Sequence, residues 1–234
     1  IGLSTLTYLF EGEIEHRDST GAVQVIGAGD VGFMTAGSGV THTERSPKSQ
    51  RGGKEFRMHG YQIWVALPKE REEMAPRFDF YPHNEIPSRE YNGLSLKVVA
   101  GKAFGLEAPL QGYTPLFMVD ILSQEETTLD LKGQLDGEVA FVIVKGSIRS
   151  QGQVVHAGQM LISKTDDECE ICLDAHTQIL LFGGERLEDE AFLLWNFVSH
   201  SKARLLKAKE DWENKRFPQV PGDTSYIPFP TPKK

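Results

Sequence analysis

The feature that most constrains this chain is its punctuation. Short runs rich in β-branched and aromatic residues are broken by glycine-containing turns roughly every eight to twelve residues, the pattern of an all-β sandwich or barrel. Leu3 to Phe10, Ile14 to Asp18, Ala22 to Ile26, Val31 to Thr35 and Val40 to Glu44 read as strands. Tyr61 to Leu67 is a further strand stopped by Pro68, and the stretch holding Pro76, Pro82 and Pro87 reads as a loop-rich connection. A second set begins near Val98 and takes in Leu116 to Leu122, Thr127 to Leu131, Val139 to Val144, Val154-Val155, Met160 to Ser163, Glu170 to Leu173 and Gln178 to Phe182.

The second set echoes the first. Tyr8-Leu9-Phe10-Glu11-Gly12-Glu13-Ile14 aligns with Phe141 to Ile148 after a one-residue adjustment, and Val25-Ile26-Gly27-Ala28-Gly29-Asp30 aligns without a gap on Val154-Val155-His156-Ala157-Gly158-Gln159. Such internal similarity implies two related β-barrels. We divide the chain at 95/96, with a first barrel over 1–95 and a second over 96–234. After Phe182-Gly183-Gly184-Glu185 the period changes to helical, with Ser199 or Ser201 as N-cap, Leu205, Ala208 and Trp212 on one side, and Pro218 as the stop. Trp212 and Phe217 are expected to pack that helix on a barrel.

Chemistry concentrates at the end of Gly37-Ser38-Gly39-Val40-Thr41-His42-Thr43-Glu44. Successive strand side chains alternate between faces, so His42 and Glu44 share one. An imidazole nitrogen beside a carboxylate oxygen suits a first-row transition metal better than calcium or magnesium. In the echo, Ile171 falls opposite His42 and Leu173 opposite Glu44, so a single metal site is expected, in the first barrel. His156 and His176 read as surface or turn residues, and His59 either as a structural histidine at a strand start, the favoured reading, or as a residue near the metal cavity. Cys169 and Cys172 have a C-x-x-C spacing that fits a redox pair or half a zinc site. On an alternating strand they fall on opposite faces and read as structural.

The order Tyr8-Leu9-Phe10-Glu11-Gly12, His16-Arg17-Asp18-Ser19, Gly29-Asp30, Thr35-Ala36-Gly37 and His42-Thr43-Glu44 resembles the pirin family. His59-Gly60-x-Gln62-x-Trp64, Trp195-Asn196-Phe197-Val198, the helix and the tail through Pro228 and Pro230 extend the resemblance over nearly the whole chain. It implies an all-β bicupin: two tandem cupin-type β-barrels with a C-terminal helix and Pro-rich tail. In that family a His-Pro-His strand precedes the glycine matched by Gly2, and its two histidines join the residues matching His42 and Glu44 around a metal. Those histidines would precede Ile1, so low metal affinity is expected of the chain as it stands. Ser4 stands where many pirins carry Glu.

The resemblance implies Fe(II) as cofactor, with Mn, Ni, Cu or Zn as alternatives. It also implies a quercetin 2,3-dioxygenase-like activity on a small aromatic oxygenated substrate, with His42 and Glu44 as ligands and Glu44 also as the catalytic base. A redox-sensing regulator of transcription factors or metabolic enzymes is the other function it carries, and a structural bicupin is a third. The formal charge of −8 argues against direct nucleic-acid binding, which depends on clustered Lys and Arg. The Lys and Arg between 202 and 216 alternate with Glu210, Asp211 and Glu213, as on a solvated helix face. No apolar run approaches a membrane span. With two cysteines in 234 residues, a reducing cytoplasm is the simplest compartment.

Overall fold

The computed structural model describes residues 1–52, 55–163 and 170–230. The chain forms two compact units, one from residues 1–83 and 187–234, the other from 84–186. Each is built of β-sheets, as the glycine punctuation predicts. No helix among the described residues is long and apolar enough to cross a membrane.

The first unit contains β1 (Leu3–Glu11), β2 (Glu13–Asp18), β3 (Val23–Gly27), β4 (Val31–Thr35), β5 (His42–Arg45), β6 (His59–Ala66) and β7 (Arg77–Tyr81). They form one sheet in the order β6-β1-β4-β7 and a second in the order β3-β2-β5. Strand β7 lies in the stretch read as a loop. Its flanking Pro76 and Pro82 fall just outside it, so neither removes a donor from the ladder with β4.

The second unit contains β8 (Ser88–Tyr91), β9 (Leu94–Ala103), β10 (Leu106–Glu107), β11 (Leu116–Ser123), β12 (Thr127–Asp130), β13 (Glu138–Lys145), β14 (Ser147–Ser150), β15 (Gln153–His156), β16 (Met160–Ser163), β17 (Glu170–Leu173) and β18 (Gln178–Gly184). Its larger sheet runs β10-β9-β11-β18-β13-β16 with β8 on β9, and its smaller one β12-β17-β14-β15. Leu96, Val119, Ile121, Phe141, Ile143, Ile171, Leu173 and Leu181 belong to its continuous apolar core.

The remaining elements are β19 (Phe192–Leu194), β20 (Phe197–Ser199) and α1 (Lys202–Glu213). Ser201 caps α1 by accepting from the Arg204 backbone N–H at 3.3 Å. The helix ends at Glu213, ahead of Pro218. Sequence order suggested that this segment completes the second barrel, but its apolar side finds partners in the first unit. Leu205 and Ala208 cluster with Ile1 and Phe197, and Phe192, Trp195, Trp212, Phe217 and Phe229 pack around them. The Val198 N–H donates to Ile1 O at 3.1 Å. Gly2 permits this approach: its φ is +66°, and a Cβ there would lie 2.0 Å from Val198 O.

Glu72 fastens the same segment. Its carboxylate accepts from Ser199 Oγ at 2.9 Å, from the His200 backbone N–H at 2.9 Å and from His200 Nδ1 at 2.8 Å. Burial pushes this carboxyl up, but the hydrogen bonds from His200 and Ser199 outweigh burial and hold it below its ordinary value. A group depressed on folding stabilises the fold above its unfolded pKa and loses that contribution as pH falls through the folded value. The wild-type melting temperature should therefore exceed that of Glu72→Gln at neutral pH. The gap should close as pH drops below the carboxylate range, which thermal melts followed by circular dichroism at several pH values will read.

Candidate metal centre

A cavity of about 390 Å³ opens inside the first unit. Alternation along β1 sets its floor, because Leu3 and Thr5 point into it while their neighbours point away. Register then selects the flanking groups. Thr5 lies opposite Met34 on β4 and Trp64 on β6, and Thr7 lies opposite Gln62, so Met34, Gln62 and Trp64 share the face of Thr5. Thr41 to Glu44 supply a second wall.

The third wall is the segment after α1. Trp212, Lys215, Phe217 to Val220 and Asp223 to Ile227 all line the cavity, with Trp195 and Phe197 from the β19–β20 hairpin beside them. Trp212 stacks on Tyr226 (centroids 5.4 Å, 22°) and meets Trp195 edge-on at 5.0 Å. Trp212 Nε1–H donates to Ile227 O at 2.9 Å. Arg45, the residue after Glu44, pairs with Asp223 at 2.6 Å and donates to Ser225 Oγ at 2.9 Å, so the strand carrying the candidate ligands is tied to the tail. Trp212 and Phe217 thus pack as expected and also face the cavity, which the sequence did not indicate. The Gln62-x-Trp64 spacing is the signal that could have revealed Gln62 and Trp64 as lining residues.

His42 and Glu44 both line the cavity, on one face of β5. Glu44 Oε1 accepts from Gln62 Nε2 at 2.7 Å, and the same amide reaches Thr7 Oγ1 at 3.1 Å, which fixes the carboxylate's direction. The His42 ring is open to the cavity but enclosed by its walls. Loss of bulk water is the main effect lowering its pKa, the neighbouring Glu44 opposes it, and His16 adds to the lowering. The result favours the neutral imidazole, the form that binds metals.

Behind the two lies a buried pair. His16 Nε2 and Asp18 Oδ2 are 3.0 Å apart, and both side chains are almost wholly buried. Asp18 Oδ1 accepts from the Thr20 backbone N–H at 2.8 Å, from Thr20 Oγ1 at 2.6 Å and from the Ala22 N–H at 3.3 Å. Burial raises the Asp18 carboxyl, but the hydrogen bonds from His16 and Thr20 prevail and keep it below its ordinary value.

Among the described residues, no three His, Cys, Asp or Glu side chains converge as a complete metal cage. His42 and Glu44 are two donors of the expected kind on one wall. His59 is exposed at the start of β6, beside Phe10 and Tyr61, and does not line the cavity. His156 is exposed, and His176 sits in a turn with φ of 59°.

At the position matching Glu44 the second unit carries no such donor, and the position matching His42 lies outside the described residues. Gly12 and Gly146 are equivalent hairpin glycines, with φ of 83° and 80°. His16 pairs with Glu44, and Ile148 with Leu173. Counted from the glycines, Ile171 rather than Leu173 stands where Glu44 does, two positions from the alignment read in the sequence. A two-residue slide keeps the same face, and both residues are fully buried apolar core. Cys169 lies outside the described residues. Cys172 Sγ accepts from Arg149 Nη2 at 3.1 Å.

The sequence and the fold match those of known proteins. The family model described as Pirin matches residues 1–65, and that described as Pirin C-terminal cupin domain matches residues 118–218. A pirin-like protein of Caulobacter vibrioides is 40% identical over 232 residues, which is 98% of this chain and 79% of that relative. The crystal structure of a quercetin 2,3-dioxygenase from Acinetobacter baumannii is similar with a TM-score of 0.90 at 33% identity, over 100% of this chain and 77% of the other. A Geobacillus kaustophilus structure matches with a TM-score of 0.69 at 32% identity, over 81% of this chain and 76% of that one.

Proposed function

The chain belongs to the pirin family, bicupins of the cupin superfamily, and from that premise we propose that its first unit is a metal-dependent dioxygenase acting on a flavonol such as quercetin. The observation that carries the reading is the opening of His42 and Glu44 together into a cavity of about 390 Å³ walled by Trp64, Trp195, Trp212, Phe217 and Tyr226. That volume lies within the range of small-molecule sites, and flat aromatic walls suit a planar polyphenol. The similarity to a solved quercetin 2,3-dioxygenase supports the same substrate class.

His42 and Glu44 fit a metal by donor type: one neutral imidazole, and one carboxylate with its direction set by Gln62. They would hold it from one wall of the cavity, and Fe(II) is the ion we propose. When bound, the metal would supply Lewis-acid and redox chemistry toward an oxygenated ring and dioxygen.

The chain's own groups do the rest. The indole and phenyl walls grip the ring faces and exclude water from them. Glu44 is placed to take the proton of a ring hydroxyl: the O–H bond breaks, its electron pair stays on the phenolate oxygen, and the proton moves to the carboxylate. Gln62, donating to Oε1, keeps the carboxylate aimed while it does so. Elemental analysis and oxygen uptake test the reading. One equivalent of metal per chain is expected, with quercetin-dependent oxygen consumption matching quercetin loss mole for mole. Bound metal without turnover would favour the redox-sensing regulator, and a metal-free protein would rule out both.

A further inference from the structure

We infer that His16 and Asp18 are positioning residues for His42 and Glu44, a buried brace that sets the orientation of the His42 ring before any ligand arrives. The inference rests on the reading of His42 and Glu44 as metal ligands. It adds the device that holds them.

Register is the first observation. On the antiparallel ribbon of β2 and β5, Asp18 is the direct partner of His42 and His16 that of Glu44. Direct cross-strand partners project to one side, so the two buried residues and the two cavity residues form a four-membered patch on one face. Ring geometry is the second. The His16 ring lies nearly parallel to Phe78 of β7 (centroids 4.2 Å, 13°) and nearly parallel to His42 (5.8 Å, 19°). Phe78, His16 and His42 are thus three nearly parallel layers, with His16 paired to a ring of the neighbouring sheet and to a ring of the cavity wall.

The middle layer is locked. An ionised carboxylate only accepts, so His16 Nε2 carries the proton it gives to Asp18 Oδ2, and that bond sets the plane of the His16 ring. Asp18 is itself immobilised by Thr20 and by the Ala22 N–H, in the turn that joins β2 to β3. The outer layer has no such lock: among the described residues, no hydrogen bond holds the His42 ring. Its orientation is left to the stack and to the strand that carries it. A free imidazole open to a cavity would rotate, and each rotation would cost a ligand site its geometry. The brace removes that freedom at a distance from the reacting atoms.

The test uses the intact protein without metal and the variant His16→Gln, whose amide can still donate to Asp18 but offers no flat ring. Carbon-13 relaxation of the histidine rings in metal-free wild type should show His42 as ordered as buried His16, and well above exposed His156. In His16→Gln, the His42 ring should lose that order while the far-ultraviolet circular dichroism stays unchanged. Cobalt(II) chloride titrations followed by the visible absorption of the bound ion should give an affinity about 10- to 100-fold below wild type. Wild-type His42 as mobile as His156 would overturn the inference without reference to any variant, as would unchanged cobalt affinity and ring order in His16→Gln. Ring order is read without metal, so an ordered His42 in a protein that binds no cobalt would uphold the brace and reject the metal reading.

Discussion

Oxygen uptake with quercetin is expected to fall by roughly two orders of magnitude or more when either His42 or Glu44 is changed to alanine, because each change removes a proposed metal ligand outright. The two residues differ in what a conservative change leaves behind. Glu44→Gln keeps an oxygen donor and the reach to Gln62 but removes the negative charge and the proton acceptor. It should retain part of the bound metal while turnover is lost, a fall in kcat beyond what metal content explains. His42→Ala should lose metal and turnover together. His59→Ala is the matched control, since that exposed imidazole stands outside the cavity. It should leave metal content and rate unchanged. Full activity in metal-depleted Glu44→Ala protein would remove both residues from the chemistry.

The second large effect is on stability. Asp18→Ala deletes a fully buried carboxylate that accepts from His16, from the Thr20 hydroxyl and from two backbone N–H groups. Removing one side of such a network leaves buried donors without partners, and losses of this kind reach about 3–5 kcal/mol. For a chain of this size that corresponds to a drop of roughly 10 °C in melting temperature. Asp18→Asn preserves shape and an acceptor oxygen and should cost less. Calorimetry on the pair measures both, and a drop below about 1 kcal/mol for Asp18→Ala would show that water replaces the lost acceptor at this site.

The strands and the face shared by His42 and Glu44 were legible in the sequence because both follow from period-two alternation and glycine turns, which are local properties. The apolar residue opposite Glu44 in the second unit was legible only to within a two-residue slide of register, because loop lengths between the matched glycines differ. Gln62's grip on Glu44 was not legible, since it depends on which residues of β1 and β6 stand opposite each other. The same holds for His16, whose meaning comes from the ribbon it shares with β5 and from a ring on β7. Strand β7 was hidden by its prolines, and the tail by its lack of any period. The helix was predicted in the right place along the chain, but nearness in sequence suggested the wrong host: Leu205 and Ala208 bury against Ile1 and Phe197.

The first unit is drawn from two stretches of chain with the whole of the second between them. During synthesis β1 to β7 emerge early, while Trp195, Trp212, Phe217 and Tyr226 are made only after the intervening residues 84–186. At about 5–20 residues per second, that delay is on the order of 5–20 s, long compared with strand and hairpin formation. The second unit, continuous in sequence, can close on the ribosome during that interval. The cavity cannot, and its aromatic wall arrives last. For several seconds each nascent chain therefore exposes the face of Leu3, Thr5, Met34 and Trp64 to its surroundings, a window in which the half-built cavity is open to chaperones.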